Sequence, residues 1–298
     1  MIDPACGSGG FLVRASRRLI ARCAVKFGKA TPKEALDNKR WKVVYDRLTP
    51  KECEDIVNTV ALRIHGFDIN PFAVNISEMN LLFQVIDLYF KAVKANKTFV
   101  VPRFKVYGTD SLELPSEQAS ITQFYEGSGK GMAQDLMAVE EFKKKRYDFV
   151  VGNPPYVRVQ KLGNIEKDRI KASYSSVEGK FDLYIPFLEL GIKLIRNGGK
   201  LGYINPNLFI QREYGKKIRA LITKETQISQ ILDFGDSGVF ADATNYPCII
   251  ILNKSSIEET KIIKVIAPSD TLLDQIRSHI PIISPACIRT NLFYKEFD

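Results

Sequence analysis

Along the chain, short β-like runs alternate with longer stretches of helical period, the signature of an α/β protein with a mostly parallel sheet. Met1 to Asp3 reads as the stub of a first strand. Phe11, Ala15, Leu19 and Cys23 then recur four apart and the pattern stops at Gly28, which predicts an amphipathic helix over 11–27. Two capping boxes follow, Thr31-Pro32-Lys33-Glu34 and Thr49-Pro50-Lys51-Glu52, each with proline at the first helical position, and they predict two more helices. Leu62 to Asp68 is the second strand, Asn70-Pro71 opens a long helix to about Lys94, and Phe104 to Tyr107 is the third strand. Residues 115–130 are polar and glycine-containing, an inserted loop, after which the apolar run Tyr147 to Val151 suits a central buried strand. A helix over Phe181 to Arg196 ends at Asn197-Gly198-Gly199. Lys200 to Ile204 is then a strand, Arg212 to Thr223 a helix, and Ile228 to Phe234 with Tyr246 to Asn253 two closing strands. From about Lys261 the pattern weakens into a strand and a helix leading out of the domain, and no internal repeat is visible.

Composition narrows the class. With 298 residues, 45% hydrophobic and 26% charged, the chain can bury a sizeable core, and neither disorder nor a fibrous class fits. No apolar run approaches the length of a membrane span and the N-terminus is no signal peptide, so a soluble, cytoplasmic protein is expected. Five cysteines (Cys6, Cys23, Cys53, Cys248, Cys287) are widely spaced without a CxxC, and only His65 and His279 are present, so no disulfide framework or metal site is expected. The net charge of +9 suits a polyanion without requiring one. Between Glu141 and Lys180, however, ten basic residues face five acidic ones, so 10 − 5 = +5 of that charge falls in forty residues.

Three loops at strand ends carry candidate chemistry. Asp3-Pro4-Ala5-Cys6-Gly7-Ser8-Gly9-Gly10 lies between a strand and a helix, where glycines let a ligand approach the backbone and a helix N-terminus offers N–H groups to an anion. It is neither the dinucleotide GxGxxG nor a triphosphate loop, so a nucleoside with a small charged end fits it better than a polyphosphate; a plain turn is the other reading. In His65-Gly66-Phe67-Asp68-Ile69-Asn70 a carboxylate ends the second strand, where doubly wound folds hold an adenosine ribose. The usual gap from the glycine turn is about 20 residues and here it is about 60, the two capped helices making up the difference; Asp68 reads equally as a strand-end cap. Gly108-Thr109-Asp110-Ser111 puts a second acid after the third strand, suited to an exocyclic amine or to a turn. After the buried strand, Gly152-Asn153-Pro154-Pro155-Tyr156 combines rigid backbone carbonyls with an amide carbonyl and an aromatic face. Such acceptors can hold a planar amino group and aim its lone pair at an electrophile.

In the order DPACGSGGFL, GFDIN, GTDS and GNPPYVRVQ, these motifs resemble the catalytic region of gamma-order adenine-specific DNA methyltransferases, and especially the modification part of type II-G restriction-modification enzymes; the resemblance covers residues 1–253. It implies a class I S-adenosylmethionine-dependent methyltransferase fold: Rossmann-like, doubly wound, with a mostly parallel seven-stranded sheet and a helical insertion at about 29–60. The catalytic domain would span 1–260 and an extension 261–298. The implied methyl donor is S-adenosylmethionine, and the implied acceptor an adenine flipped out of DNA, methylated at N6. Carried over by position, Asp3, Ala5, Cys6, Gly7, Gly9 and Phe11 would line the donor's methionine end, Asp68 with Ile69 its ribose, and Asp110 with Ser111 its adenine. Phe187 would pack on the donor adenine. Asn153, Pro154 and Pro155 would hold the target amine, Tyr156 would stack on the target base, and Phe240 would cover its other face; core packing is the other reading of both phenylalanines.

Against that family the chain starts inside its first strand, without an upstream donor-contacting helix or nuclease, and only about 30 residues follow Ala267 where a target-recognition domain is expected. The expectation is a fragment that keeps the catalytic residues and relies on a separate recognition subunit or on absent segments. The rival readings are methylation of a release-factor glutamine or a ribosomal RNA base by the same NPPY chemistry, and an inactive truncated fragment.

Overall fold

The computed structural model describes residues 1–36, 41–113, 130–234, 246–255 and 261–264. These fall into two compact units, the first from Met1 to Ser111 with the start of one later helix, the second from Glu141 onward. In chain order the first unit contains β1 (Ile2–Asp3), α1 (Gly10–Lys26), α2 (Pro32–Leu36), α3 (Trp41–Arg47), α4 (Pro50–Arg63), β2 (His65–Asp68), α5 (Pro71–Ala95) and β3 (Lys105–Gly108). Helix α6 (Lys130–Lys144) leads into the second, which holds β4 (Tyr147–Gly152), α7 (Asn164–Ser173), α8 (Tyr184–Leu194), β5 (Ile195–Pro206), α9 (Lys216–Glu225), β6 (Gln227–Asp233), β7 (Pro247–Asn253) and β8 (Lys261–Lys264). No described helix is long and apolar enough to cross a membrane.

In the first unit the capping boxes form as the spacing predicts. Glu52 N–H donates to Thr49 Oγ1 at 3.2 Å and Thr49 N–H to Glu52 Oε2 at 2.7 Å, so α4 starts with its orphan donors satisfied. Thr31 and Glu34 do the same for α2, at 3.3 and 3.0 Å. Parallel ladders join Ile2 to His65 and Asp3 to Gly66, then His65–Asp68 to Lys105–Gly108, so β1, β2 and β3 end at one edge with their loops side by side. Leu12 and Ile20 of α1, Ile56 and Val60 of α4, and Leu81 and Val85 of α5 are buried in one core with Val106. On α1 the buried line is Leu12, Ser16, Ile20 and Ala24, one residue round from the expected Phe11, Ala15, Leu19 and Cys23, of which the last three pack half-buried against the same core.

In the second unit β4 lies parallel to β5, and β7 lies antiparallel between β5 and β6. Within the first unit the strand order is β3-β2-β1, and within the second β4-β5-β7-β6-β8. This is the class I methyltransferase fold expected from the motifs, with one strand more than the seven anticipated: Lys261–Lys264 does not lead away but pairs in parallel with Gln230–Asp233.

Other boundaries shift for local reasons. Asn197-Gly198-Gly199 does not stop a helix; α8 has ended at Leu194 and these residues bulge β5. The ladder jumps from Tyr147↔Ile195 to Phe149↔Lys200, with Gly198 at φ +76° and a Cβ on Gly199 only 2.9 Å from the Tyr147 carbonyl. There Arg196 swings over to pair with Asp148 at 2.6 Å, so Asp148 and Phe149 are exposed and β4 buries Tyr147, Val150 and Gly152 rather than its whole length. Helix α6 was not foreseen from the pattern, and the expected loop at 115–130 and nearly all of the tail lie outside the described residues.

Candidate active site

The glycine turn of the first unit is built from both sides. Cys6 N–H donates to the Phe67 carbonyl at 2.8 Å, continuing the β1–β2 ladder into the loop, and Gly7 N–H donates to Asp68 Oδ2 at 2.8 Å. Asp68 Oδ1 accepts from Asn70 N–H at 2.9 Å, so this carboxylate both ties the turn to the end of β2 and caps the approach to α5. Gly9, the N-cap of α1, sits at φ +86°, and a Cβ there would lie 2.7 Å from Ser77 Oγ, so conformation and space both demand glycine. The N-terminus of α1 has no side-chain cap and no acid in its first turn. That end of the helix suits an anionic group.

Asp3 is fully buried. Its Oδ1 accepts from Ala5 N–H at 3.0 Å, while its buried Oδ2 has no hydrogen-bond partner. Burial pushes this carboxyl up to about 7; the Ala5 N–H opposes the rise and the charge of Asp68 adds to it. A proton or a cation at that oxygen would offset the cost. Burial likewise pushes the Cys6 thiol up to about 12, which keeps it a neutral, unreactive wall of the loop.

The expected donor residues fall together. Asp3, Ala5, Cys6, Gly7 and Gly9 are in the turn, Phe11 is in the first turn of α1, Asp68 and Ile69 end β2, and Asp110 and Ser111 follow β3. Ile69 is 73% exposed, an apolar face open to a ring. Ser111 is buried and its hydroxyl donates to the Pro4 carbonyl at 2.6 Å, so it supports the turn from beneath. Two further supports had no local signal. Ser77 Oγ donates to the Gly7 carbonyl at 2.9 Å and Asn80 Nδ2 to the Ser8 carbonyl at 2.9 Å. They stand three apart on α5, spacing that only the packing of α5 against the turn makes meaningful.

In the second unit the NPPY turn follows β4. Pro154 is buried and Asn153 exposed. The Tyr156 hydroxyl reaches two acceptors, Asn153 Oδ1 and, at 3.0 Å, the Ile204 carbonyl of β5. That phenol is pushed up to about 12 by burial, so it stays a donor throughout the working pH range. Its ring meets Tyr184 edge-on at 6.4 Å, and Tyr184 is fixed in turn by Phe209 at 6.3 Å and by its hydroxyl against that of Tyr214 at 3.0 Å. Tyr184, Ile204 and Phe209 were not singled out from the sequence. After the turn, Val159 N–H donates to the Phe181 carbonyl and Leu183 N–H to the Val157 carbonyl, so the segment leaving NPPY is strapped to the start of α8.

Phe187 is 6% exposed on α8, whose residues are almost all buried. Phe240 lies outside the described residues. Beyond the turn, Arg158, Lys161, Lys171 and Lys180 are exposed, a basic surface on and around α7.

Comparison with known proteins follows the same lines. The family model described as Eco57I restriction-modification methylase matches residues 63–240. The chain is similar to the type II restriction enzyme and methyltransferase RM.Eco57I of Escherichia coli, 26% identical over 265 residues, covering 85% of this chain and 24% of that protein. It is also similar to the adenine-specific methyltransferase PglX of Streptomyces coelicolor, 28% identical over 273 residues, covering 85% of this chain and 20% of that one. The chain thus spans about a quarter or less of the length of these relatives. Among solved structures, a nuclease-deletion mutant of the Type ISP restriction-modification enzyme LlaGI in complex with a DNA substrate mimic shares the fold with a TM-score of 0.60, at 16% identity over 93% of this chain and 22% of that one.

Proposed function

The chain belongs to the Eco57I restriction-modification methylase family, and on that premise we propose that it transfers a methyl group to the N6 amine of an adenine flipped out of DNA, as the modification activity of a restriction-modification or phage-defence system. The observation that carries the reading is Asn153: an exposed amide carbonyl at the end of β4, clamped by the Tyr156 hydroxyl beside the buried Pro154.

S-adenosylmethionine supplies, when bound, a sulfonium methyl already activated for displacement. The first unit fits it. The Asp3 carboxylate, buried with one oxygen unpartnered, would neutralise the donor's ammonium; the uncapped N-terminus of α1 would face its carboxylate; Asp68 and Ile69 would hold the ribose and Asp110 the adenine amine.

In the second unit, Asn153 Oδ1 and the Pro154 carbonyl would accept from the two hydrogens of the target amine. Held this way, the nitrogen's lone pair is turned out of the ring plane and the positive charge that builds on it meets two fixed dipoles. Pro155 stiffens the turn and Tyr156 offers its ring for stacking. Flipping the base costs a few kcal/mol, which stacking and these hydrogen bonds return in the extruded state. Asparagine at the first position favours adenine, since cytosine-N4 enzymes of the wider resemblance more often carry serine there. PglX is named for adenine specificity, which supports the same choice.

The basic surface at Arg158, Lys161, Lys171 and Lys180 supports a phosphate backbone as partner. Site recognition would come from polypeptide beyond the matched residues or from a separate subunit, and the catalytic domain would run through β8. The test offers tritiated S-adenosylmethionine with DNA, ribosomal RNA and a release factor in turn. Label in DNA is expected; label in RNA or in protein glutamine overturns the choice of substrate.

A further inference from the structure

Helix α5 is apolar on two opposite faces. One face, Val74, Ser77, Leu81, Val85, Leu88 and Ala92, is buried. On the other, Phe72, Ile76, Met79, Phe83, Ile86 and Phe90 recur in alternating steps of four and three, the spacing of a coiled-coil seam. Phe72 is 71% exposed, Met79 51%, Phe83 57% and Phe90 53%. The roll of the helix is fixed by side contacts, Arg17 Nε to Gln84 Oε1 at 2.7 Å and the Tyr45 hydroxyl to the Asp87 carbonyl at 3.0 Å, so this face cannot turn inward. A helix hydrophobic all round belongs in an interior, and a continuous exposed apolar stripe marks a contact surface.

We propose that the seam joins two copies of this chain through an antiparallel α5–α5 pair. Its spacing selects a helix as occupant, and its order selects a copy of itself. Read forward the seam is Phe-Ile-Met-Phe-Ile-Phe, and read backward Phe-Ile-Phe-Met-Ile-Phe. Antiparallel pairing about position 81 therefore sets Phe72 against Phe90, Ile76 against Ile86 and Met79 against Phe83, the self-complementarity that a two-fold interface requires. The flanking positions Ala73, Asn75, Asn80, Leu82, Asp87 and Tyr89 carry a single charge, and the pairing puts Asp87 opposite Asn75, so no like charges meet.

The area is sufficient. A fully buried aromatic side chain removes about 150–250 Å² from water. Three exposed phenylalanines with Met79, Leu82 and the two isoleucines from each copy then bring the pair to about 1,000 Å² in total, where specific interfaces begin. From Phe72 to Phe90 the contact runs about 27 Å at 1.5 Å per residue.

Sedimentation velocity on the 298-residue chain, from low micromolar to about 100 μM, tests the proposal. The expected result is a dimer with twice the chain mass, converted to monomer by Phe83→Asp with helical content unchanged by circular dichroism. Should that variant misfold, the double variant Met79→Cys/Phe83→Cys reads the same geometry: under mild oxidation it is expected to give a covalent dimer that neither single variant forms as fast. A monomer throughout the range, or a dimer indifferent to Phe83→Asp and slow to cross-link in the double variant, overturns it; the seam would then be covered by a different polypeptide.

Discussion

Replacing Asp3 with asparagine is expected to make the free protein more stable at alkaline pH while destroying its hold on the donor. The carboxyl is fully buried and pushed from 3.8 to about 7, chiefly by burial. At 1.36 kcal/mol per pH unit, this is about 4 kcal/mol of penalty on the ionised form. The sign follows from proton counts. Between about pH 4 and 7 the folded protein holds a proton at Asp3 that the unfolded chain has released, so stability falls as pH rises through that window and stays low above it. Asparagine keeps the acceptor for Ala5 N–H and removes the ionisation, but its amide N–H₂ inherits the unpartnered position of Oδ2, costing about 1–3 kcal/mol. Net, Asp3→Asn gains about 1–3 kcal/mol at pH 8 and loses a similar amount at pH 4. Urea unfolding of both proteins at the two pH values measures the crossing. Calorimetry supplies the other half: wild-type affinity for S-adenosylmethionine should rise about tenfold per unit up to pH 7 and then level off, and the variant should bind weakly at every pH. Equal destabilisation of the variant at both pH values, or donor binding indifferent to the substitution, would refute the reasoning.

Tyr156→Phe keeps the stacking ring but frees Asn153 Oδ1 from its clamp; kcat should fall about tenfold, the worth of one well-placed hydrogen bond, with KM for DNA nearly unchanged, as steady-state kinetics would report. Gly9→Ala forces a Cβ into Ser77 at a positive φ, so a loss of about 1–3 kcal/mol in urea unfolding is expected, accompanied by weaker donor binding. Changing Lys161, Lys171 and Lys180 together to glutamine should flatten the dependence of log K for DNA on log salt by about 0.9 for each phosphate contact removed, read by fluorescence anisotropy at several salt concentrations, and a slope equal to wild type counts against that surface.

Local signals in the sequence were reliable where one residue type does one job. Thr49 with Glu52 capped the helix it announced, the glycine turn lies between a strand and a helix as its composition suggested, and Asn153 to Tyr156 lies at the end of a strand as the spacing required. What escaped depends on partners distant in the chain. Ser77 and Asn80 hold the turn across about 70 residues, and nothing near them distinguishes them from ordinary helix polars. Gly198 and Gly199 read as a helix stop because a strand bulge uses the same residues, and only the Tyr147 carbonyl against Gly199 tells the two apart. β8 was read as leaving the domain because four residues of weak pattern gain meaning only beside β6. The outer apolar line of α5 is legible only once the packing shows which side of the long helix after Asn70-Pro71 is buried.

Asn153 is proposed to present an adenine amine for methylation. That role is tested most directly by incubating the chain with S-adenosylmethionine and a single-stranded adenine-containing deoxyoligonucleotide at high concentration, which asks nothing of a recognition domain, and analysing the digested nucleosides by mass spectrometry. N6-methyl-2′-deoxyadenosine is expected from the wild-type chain and none from Asn153→Ala. Methylation on cytosine, or undiminished product from the Asn153 variant, would contradict it.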